Sequence, residues 1–321
     1  IQSSMKIERI AGSTRYDTAL QIYNALASSD TRSQASKVAI IATGNSFADA
    51  LSIGPVVRIT GGTLFLTGRT SIDQATLDQI RALAPSDVYI VGGPGAVSAQ
   101  VASKVGAAAG QSTTRVSGAN RYETSEAIYK KFFVDTVRPV HTAFVATGRD
   151  FPDALSSASA GAALSAPVLL VDGTKTTGLS SYLTQSLQSK GTSRVLISGG
   201  TGAVNSSIEA KLKRSFSTTR LHGANRYATN MAINNYVANN AGSIALTDVW
   251  IATGRDFPDA LSAAAPSGQL SSRLVLSGGT CIPKPVVSEW ITPRTSKVEN
   301  VWLAGGTGVL SQSVKNLTQC Q

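Results

Sequence analysis

The side chains that usually carry catalysis or bind metals are scarce in this chain. There are two histidines and two cysteines among 321 residues. His141 and His222 stand in unrelated contexts, and both cysteines, Cys281 and Cys320, fall in the last 41 positions. A site built on imidazole or thiolate needs several such ligands at short, fixed spacings, and none is present. A G-x-S-x-G elbow for a serine nucleophile is absent, as are the G-x-G-x-x-G dinucleotide fingerprint and a Walker lysine. Neither catalysis, nor a metal, nor a cofactor is expected. No stretch of about 20 apolar residues is available to span a bilayer. Aromatics make up 6% of the chain, and no basic run interleaved with them marks a nucleic-acid track. The chain opens at Ile1 without a secretory leader, which reads as a processed or trimmed form.

Acidic residues are also in deficit: 19 against 29 lysines and arginines, a formal charge of +10. The excess is spread over the chain, at +2 for residues 1–107, +4 for 108–213 and +4 for 214–321. Such a charge favours anionic partners through long-range attraction without naming one.

What the chain does have is one motif set written three times, at a period of roughly 105 residues. Arg9-Ile-Ala-Gly-Ser-Thr-Arg15-Tyr16 returns from Arg115 to Tyr122 and again from Arg220 to Tyr227. A second phrase begins at Ala42, Ala146 and Ala252 and ends in Asp-Ala-Leu-Ser at Ser52, Ser156 and Ser262. A third is Gly92-Gly-Pro-Gly95, Gly199-Gly-Thr-Gly202 and Gly305-Gly-Thr-Gly308. Solenoid repeats of 20–50 residues cannot bury a core alone, whereas a unit of about 105 residues can. Three modules are therefore expected, at 1–110, 111–215 and 216–321.

Each unit reads as strands alternating with helices. In the second, Thr114–Ser117 is a strand, and Asn120 caps a helix running to about Phe133, with Glu123 completing a capping-box pattern. Thr142–Thr147 is the next strand, followed by a helix of small residues from Asp153 to Leu164, opened by Pro152. Pro167–Val171 is a continuous apolar run, as in a strand buried on both faces. A helix over Leu179–Gln188 and the strand Arg194–Ser198 complete the pattern. The expected fold is α/β: three tandem Rossmann-like or flavodoxin-like modules, each a small parallel sheet flanked by helices. With no long linker between them, a pseudo-threefold arrangement is expected. The Gly-Gly-x-Gly turn closes its unit instead of opening it, which favours a tight strand-to-helix turn over a phosphate loop.

Arg15, Arg121 and Arg226 recur in register with Asp49, Asp153 and Asp259. One arginine–carboxylate pair per unit is expected (Arg15 with Asp49, Arg121 with Asp153, Arg226 with Asp259), since the guanidinium fork matches a carboxylate. The alternative is that these side chains grip a ligand. Ligands of open α/β sheets bind outside the carboxyl ends of the strands. Arg149 and Arg255 in the second phrase, with Arg69 and Lys175 after the third strand, are the candidate ligand contacts at that edge. The cysteine pair, without counterparts in the other units, suggests a disulfide. For it to form, the tail beyond Leu317 must bend towards Cys281, or the unit's third helix must be displaced.

The phrases Gly-Ala-Asn-Arg-Tyr-x-Thr, Ala-Thr-Gly-Arg-Asp-Phe-Pro-Asp-Ala-Leu-Ser and Gly-Gly-Thr-Gly-Ala-Val resemble the cell wall binding repeat 2 family, in triplicate over essentially the whole chain. The resemblance implies Rossmann-like modules used in threes that anchor secreted proteins non-covalently to the Gram-positive envelope through anionic wall polymers. The first unit departs from the pattern, with Asn45-Ser46 for Arg-Asp and Ala48 for Pro. The expected function is thus non-catalytic anchoring at the cell surface, with a teichoic-acid-like or acidic polysaccharide as partner and no nucleic acid. The alternatives are a wall-glycan-processing enzyme using the strand-edge cleft, or a surface-layer or adhesion component binding protein.

Overall fold

The computed structural model describes residues 5–27, 37–240, 247–269, 272–293 and 297–320. The first repeat runs β1 (Lys6–Ile10), α1 (Arg15–Ala27), β2 (Val38–Thr43), α2 (Gly54–Thr60), β3 (Thr63–Thr67), α3 (Gln74–Leu83), β4 (Asp87–Val91) and α4 (Ala99–Ala109). The second follows with β5 (Thr113–Val116), α5 (Arg121–Tyr129), β6 (Thr142–Thr147), α6 (Pro152–Leu164), β7 (Val168–Val171), α7 (Ser181–Ser189), β8 (Arg194–Ser198) and α8 (Ser206–Leu212). The third contains β9 (Ser217–Leu221), α9 (Arg226–Asn240), β10 (Asp248–Thr253), α10 (Pro258–Gln269), β11 (Arg273–Ser277), β12 (Asn300–Ala304) and α11 (Gln312–Lys315). In the second repeat the α-helix stops at Tyr129, and Lys130–Val134 continue it with π-type bonding. The local signals act as anticipated: Asn120 accepts hydrogen bonds from the amides of Tyr122 and Glu123, and Glu123 folds back onto Ala119 and Asn120.

All strand pairs are parallel, in three four-stranded sheets ordered β3-β2-β4-β5, β7-β6-β8-β9 and β11-β10-β12-β1. The central strands are apolar and buried on both faces, as helix-covered parallel sheets require. The first strand of each repeat does not join its own repeat's sheet. β5 completes the first sheet, β9 the second, and β1, from the start of the chain, completes the third by pairing Lys6–Ile10 with Asn300–Ala304. The three units are therefore linked in a closed ring, each handing one strand to the sheet of the repeat before it.

Helices α2, α6 and α10 pack against one another where the three units meet. Their small residues permit this close approach. A Cβ on Gly54 would lie 2.4 Å from the Ala158 carbonyl oxygen, and one on Gly268 would lie 2.1 Å from the Ala162 Cβ. Buried Ser159 and Ser267 hydrogen-bond across the α6–α10 contact. This contact is therefore bonded as well as packed, which offsets the cost of burying the two hydroxyls.

The third repeat departs from the other two. Where α3 and α7 stand, it has Pro283 and Pro285, then a π-type turn at Val286–Ile291. Helix α11 is four residues long, and Leu317 (φ 57°) turns the chain in the left-handed region. The tail then pairs with Ile282, which donates to Thr318 O and accepts from Cys320 N. Cys281 and Cys320 are disulfide-bonded. Both routes anticipated for the bridge are used, since the tail bends and the helix is displaced.

Candidate functional site

In the first two sheets the connections from the two central strands leave in opposite directions, which opens a crevice at their carboxyl ends. In the second sheet this switch point lies between β6 and β8. A cavity of about 380 Å³ sits there, and its walls come from two repeats. Thr147, Arg149, Asp150, Asp153 and Thr174 belong to the second repeat; Gly223 and Asn225 arrive on the loop after the donated strand β9, and Arg226 and Thr229 on the first turn of α9. The Gly200–Gly202 turn forms the remaining side.

The donated strand also changes the ion pairing. The expected pairs within a repeat, Arg15 with Asp49, Arg121 with Asp153 and Arg226 with Asp259, are not made. Instead the field of Arg121 acts on Asp49, that of Arg226 on Asp153, and that of Arg15 on Asp259. Each arginine opens the helix that follows a donated strand, so it travels with that strand to the neighbouring sheet. Each aspartate stays on its own sheet. A second carboxylate joins at two junctions: Arg226 lies 3.6 Å from Asp150, and Arg15 lies 4.0 Å from Asp256. At the junction of Arg121 the equivalent position is Ser46, so this second acid is missing.

Every one of these arginines is fixed by further contacts. Its Nη1 donates to a carbonyl of its own repeat: Arg15 to Gly44 (2.8 Å), Arg121 to Gly148 (2.6 Å) and Arg226 to Gly254 (2.7 Å). Its guanidinium stacks on a phenylalanine of the preceding repeat, at 5.8 Å from the Phe257 ring, 5.5 Å from Phe47 and 5.6 Å from Phe151. The three rings contact one another, with centroids 5.6–6.1 Å apart. Partly desolvated stacking of this kind contributes on the order of 1 kcal/mol per pair. A second set of arginines ties each donated strand down, with Arg9, Arg115 and Arg220 donating to the carbonyls of Gly305, Gly92 and Gly199 at 2.6–2.8 Å. Both the phenylalanine trio and this arginine set recur in register, but their partners lie in the neighbouring repeat, which the sequence alone does not reveal.

The aspartates are held in an unfavourable setting. Burial pushes the Asp153 carboxyl up to about 6; the Asp150 charge adds to this, and Arg226 offsets only part. Asp259 is likewise raised to about 6 by burial and by Asp256, against Arg15 and a hydrogen bond with Thr18. Asp49 is raised by burial, with Thr124 and Arg121 opposing. The third phrase of the repeat makes room for this carboxylate. Gly199 has φ +103°, and a Cβ there would lie 2.2 Å from the Asp153 Oδ2. The turn is glycine because the carboxylate occupies that space.

The candidate ligand residues all stand at the carboxyl edge. Exposed Arg149 lines the cavity and lies 3.5 Å from Asp172. Arg69 and Lys175 are exposed after β3 and β7, and their carbonyls accept from Ser98 N and Asn205 Nδ2. Arg255, also exposed, lines a different cavity, beside the disulfide. Among the described residues no group of three or more His, Cys, Asp or Glu side chains is arranged to hold a metal, and no helix is long and apolar enough to cross a membrane.

The sequence profile of cell wall binding domain 2 (CWB2) matches three times in tandem, over residues 9–102, 115–209 and 220–315. The chain belongs to the CWB2 family. Among curated proteins it is 33% identical over 209 residues to the N-acetylmuramoyl-L-alanine amidase LytC of Bacillus subtilis, covering 65% of this chain and 38% of LytC. It is 27% identical over 309 residues to the amidase enhancer of the same organism, covering 96% of this chain and 39% of the enhancer. The chain thus spans about two fifths of the length of these relatives. Its fold is that of Cwp6 and Cwp8 from Clostridium difficile, with TM-scores of 0.82 and 0.80 at 22% and 23% identity, over 98% of this chain and about half of each of theirs. Three CWB2 repeats make this a cell-wall-associated chain.

Proposed function

We infer that the chain is a non-catalytic anchor that holds a secreted protein to a Gram-positive wall by binding an anionic wall polymer at the carboxyl edges of its sheets. One observation carries the reading: the switch-point cavity of the second sheet is built from two repeats and brings Arg149 and Arg226 together beside Asp150 and the half-buried Asp153. Arg149 offers a forked donor to phosphate or carboxylate oxygens, and Arg226, held by Gly254 and Asp150, adds its charge. Lys175, on the same edge, adds a point charge, and Arg69, on the first sheet, adds a further guanidinium. Three edges in one ring give a polymer with repeating charge several weak contacts, each raising the effective concentration for the next. The net charge of +10 supports the same partner.

The test is co-sedimentation of the purified chain with isolated walls, before and after acid extraction of the anionic polymers. Binding should weaken as salt approaches about 1 M, where the screening length falls to roughly 3 Å. It should also fall in the triple charge reversal R69E/R149E/K175E, whose exposed loop positions leave the fold intact. Equal binding to stripped walls would sink the polymer reading, and a folded triple variant that binds like the parent would sink the choice of surface.

A further inference from the structure

The third repeat carries a cavity of about 620 Å³ lined by none of Arg69, Arg149, Lys175 and Arg226, the cations assigned above to the polymer. Its walls are the outer face of α9 (Ala228, Met231, Ala232), Tyr227, the Pro283–Pro285 segment and the Cys281–Cys320 bridge; Arg255 stands beside it. The second repeat shows why it is open. There Glu126, on α5, accepts a hydrogen bond from Ser180 at the start of α7 and so closes the equivalent space. In the third repeat Met231 replaces Glu126, and the helix equivalent to α7 is displaced.

The charges differ in the same direction. Strand register aligns Asp172 with Gly278, because Thr147 pairs with Val171 as Thr253 pairs with Ser277. Asp172, the partner of Arg149, is therefore missing, and Glu123 is replaced by Ala228. Among the described residues Arg255 makes no ion pair and no side-chain hydrogen bond. The repeat has kept the cation, removed two acids near it and opened an apolar groove alongside.

We propose that this groove binds the carboxy-terminal end of a peptide, with Arg255 holding the free carboxylate and the Met231–Pro283 walls taking an apolar side chain. The guanidinium fork matches a carboxylate in two parallel hydrogen bonds, and capture of a terminal carboxylate is a recurrent mode of peptide recognition. The volume is in the range of small-ligand sites. A peptide fits the lining better than an acidic sugar does. The polar side chains other than Arg255 are Asn225, Asn235, Thr280 and the Tyr227 hydroxyl, too few to serve a ring of hydroxyl groups. The groove shares no charged residue with the cavity of the second sheet, so it is tested without walls.

The chain contains two methionines, Met5 and Met231, so methyl-labelled methionine gives two resonances, one of them inside the groove. The oxidised protein is titrated with N-acetyl dipeptides ending in leucine, phenylalanine or alanine, each as the free acid and as the carboxamide, and with glucuronic acid. The acids should move the Met231 resonance and leave that of Met5 in place. The amides and Arg255→Gln should each weaken binding about tenfold or more, the usual loss when a charge-assisted pair is removed. Acid and amide forms that bind alike, a Met231 resonance that none of the dipeptides moves, tighter binding of glucuronic acid, or unchanged binding by a folded Arg255→Gln variant would each overturn the proposal.

Discussion

Asp153 and Asp259 make the stability of this ring depend on pH in the unusual direction. Each has a folded pKa raised to about 6 from 3.8. Between those values the folded state holds protons that the unfolded chain has released, so stability is lost as pH rises through about 6 and recovered on acidification. One pKa unit corresponds to about 1.4 kcal/mol. Integrated from pH 7 down to pH 5, each aspartate contributes about 1 kcal/mol of recovered stability, and the two together about 2–3 kcal/mol. For cooperative unfolding of a chain this long, that corresponds to a rise of roughly 4 °C in Tm. The assay is calorimetric unfolding of the parent and of D153N/D259N at pH 5, 6 and 7. The asparagine variant should lose most of the pH slope and exceed the parent at pH 7, because it removes two charges that burial penalises. All other residues are the same in both proteins, so the difference isolates the aspartates. A parent whose stability is flat or falls on acidification, or a double variant that keeps the parent's slope, would refute the reasoning.

Two further outcomes follow from how the ring is closed. Replacing Cys281 and Cys320 by serine releases a loop closed over a sequence separation of 39; chain-entropy arithmetic gives a loss of about 4 kcal/mol, read as a shift in the urea midpoint, and a change under about 1 kcal/mol would contradict it. Deleting residues 1–10 removes the strand that closes the third sheet, including the Ile10 carbonyl that receives the Gly305 amide and the Arg9 contact to Gly305; hydrogen exchange should then accelerate in Asn300–Ala304 while β6 and β8 stay protected, and unchanged protection of β12 would contradict the closure.

The succession of strands and helices along the chain could be read from the sequence because it rests on local signals. Continuous apolar runs such as Pro167–Val171, proline at the first position of α6 and Asn120 at the cap of α5 each act within a few residues. The sheet to which Thr113–Val116 belongs has no such signal. Under a threefold repeat, the pattern is the same whether the first strand stays with its own unit or passes to the one before, and the register of Arg121 with Asp153 is preserved either way. Only the fold distinguishes Arg121–Asp49 from Arg121–Asp153. The edge carrying Arg69, Arg149, Lys175 and Arg255 was legible, since strand–loop–helix order puts those loops at the carboxyl ends. The division of that edge was not. Arg149 shares its cavity with Arg226, which is more than 70 positions away and reaches it on a donated strand, while Arg255 faces a groove created by the displaced helix.

The exchanged strands also explain how one repeat can diverge without loss of the assembly. Each junction is held by contacts that recur three times: an arginine on a neighbour's phenylalanine, a second arginine on a neighbour's glycine carbonyl, and small helices meeting where the repeats converge. These positions are tied to two repeats at once, so a change at any of them strains a sheet and a junction together. Loops at the carboxyl edge carry no such double duty. Asn45-Ser46 in place of Arg-Asp, Gly278 in place of Asp172 and Met231 in place of Glu126 all lie outside the shared contacts, apart from the second acid that Ser46 removes beside Arg121. That junction still has the Phe47 stack, the Gly148 bond and Asp49, so the missing carboxylate leaves it closed and more positive than the other two. The ring thus separates the residues that close it from the residues free to specialise, and it leaves three edges of different charge on one scaffold.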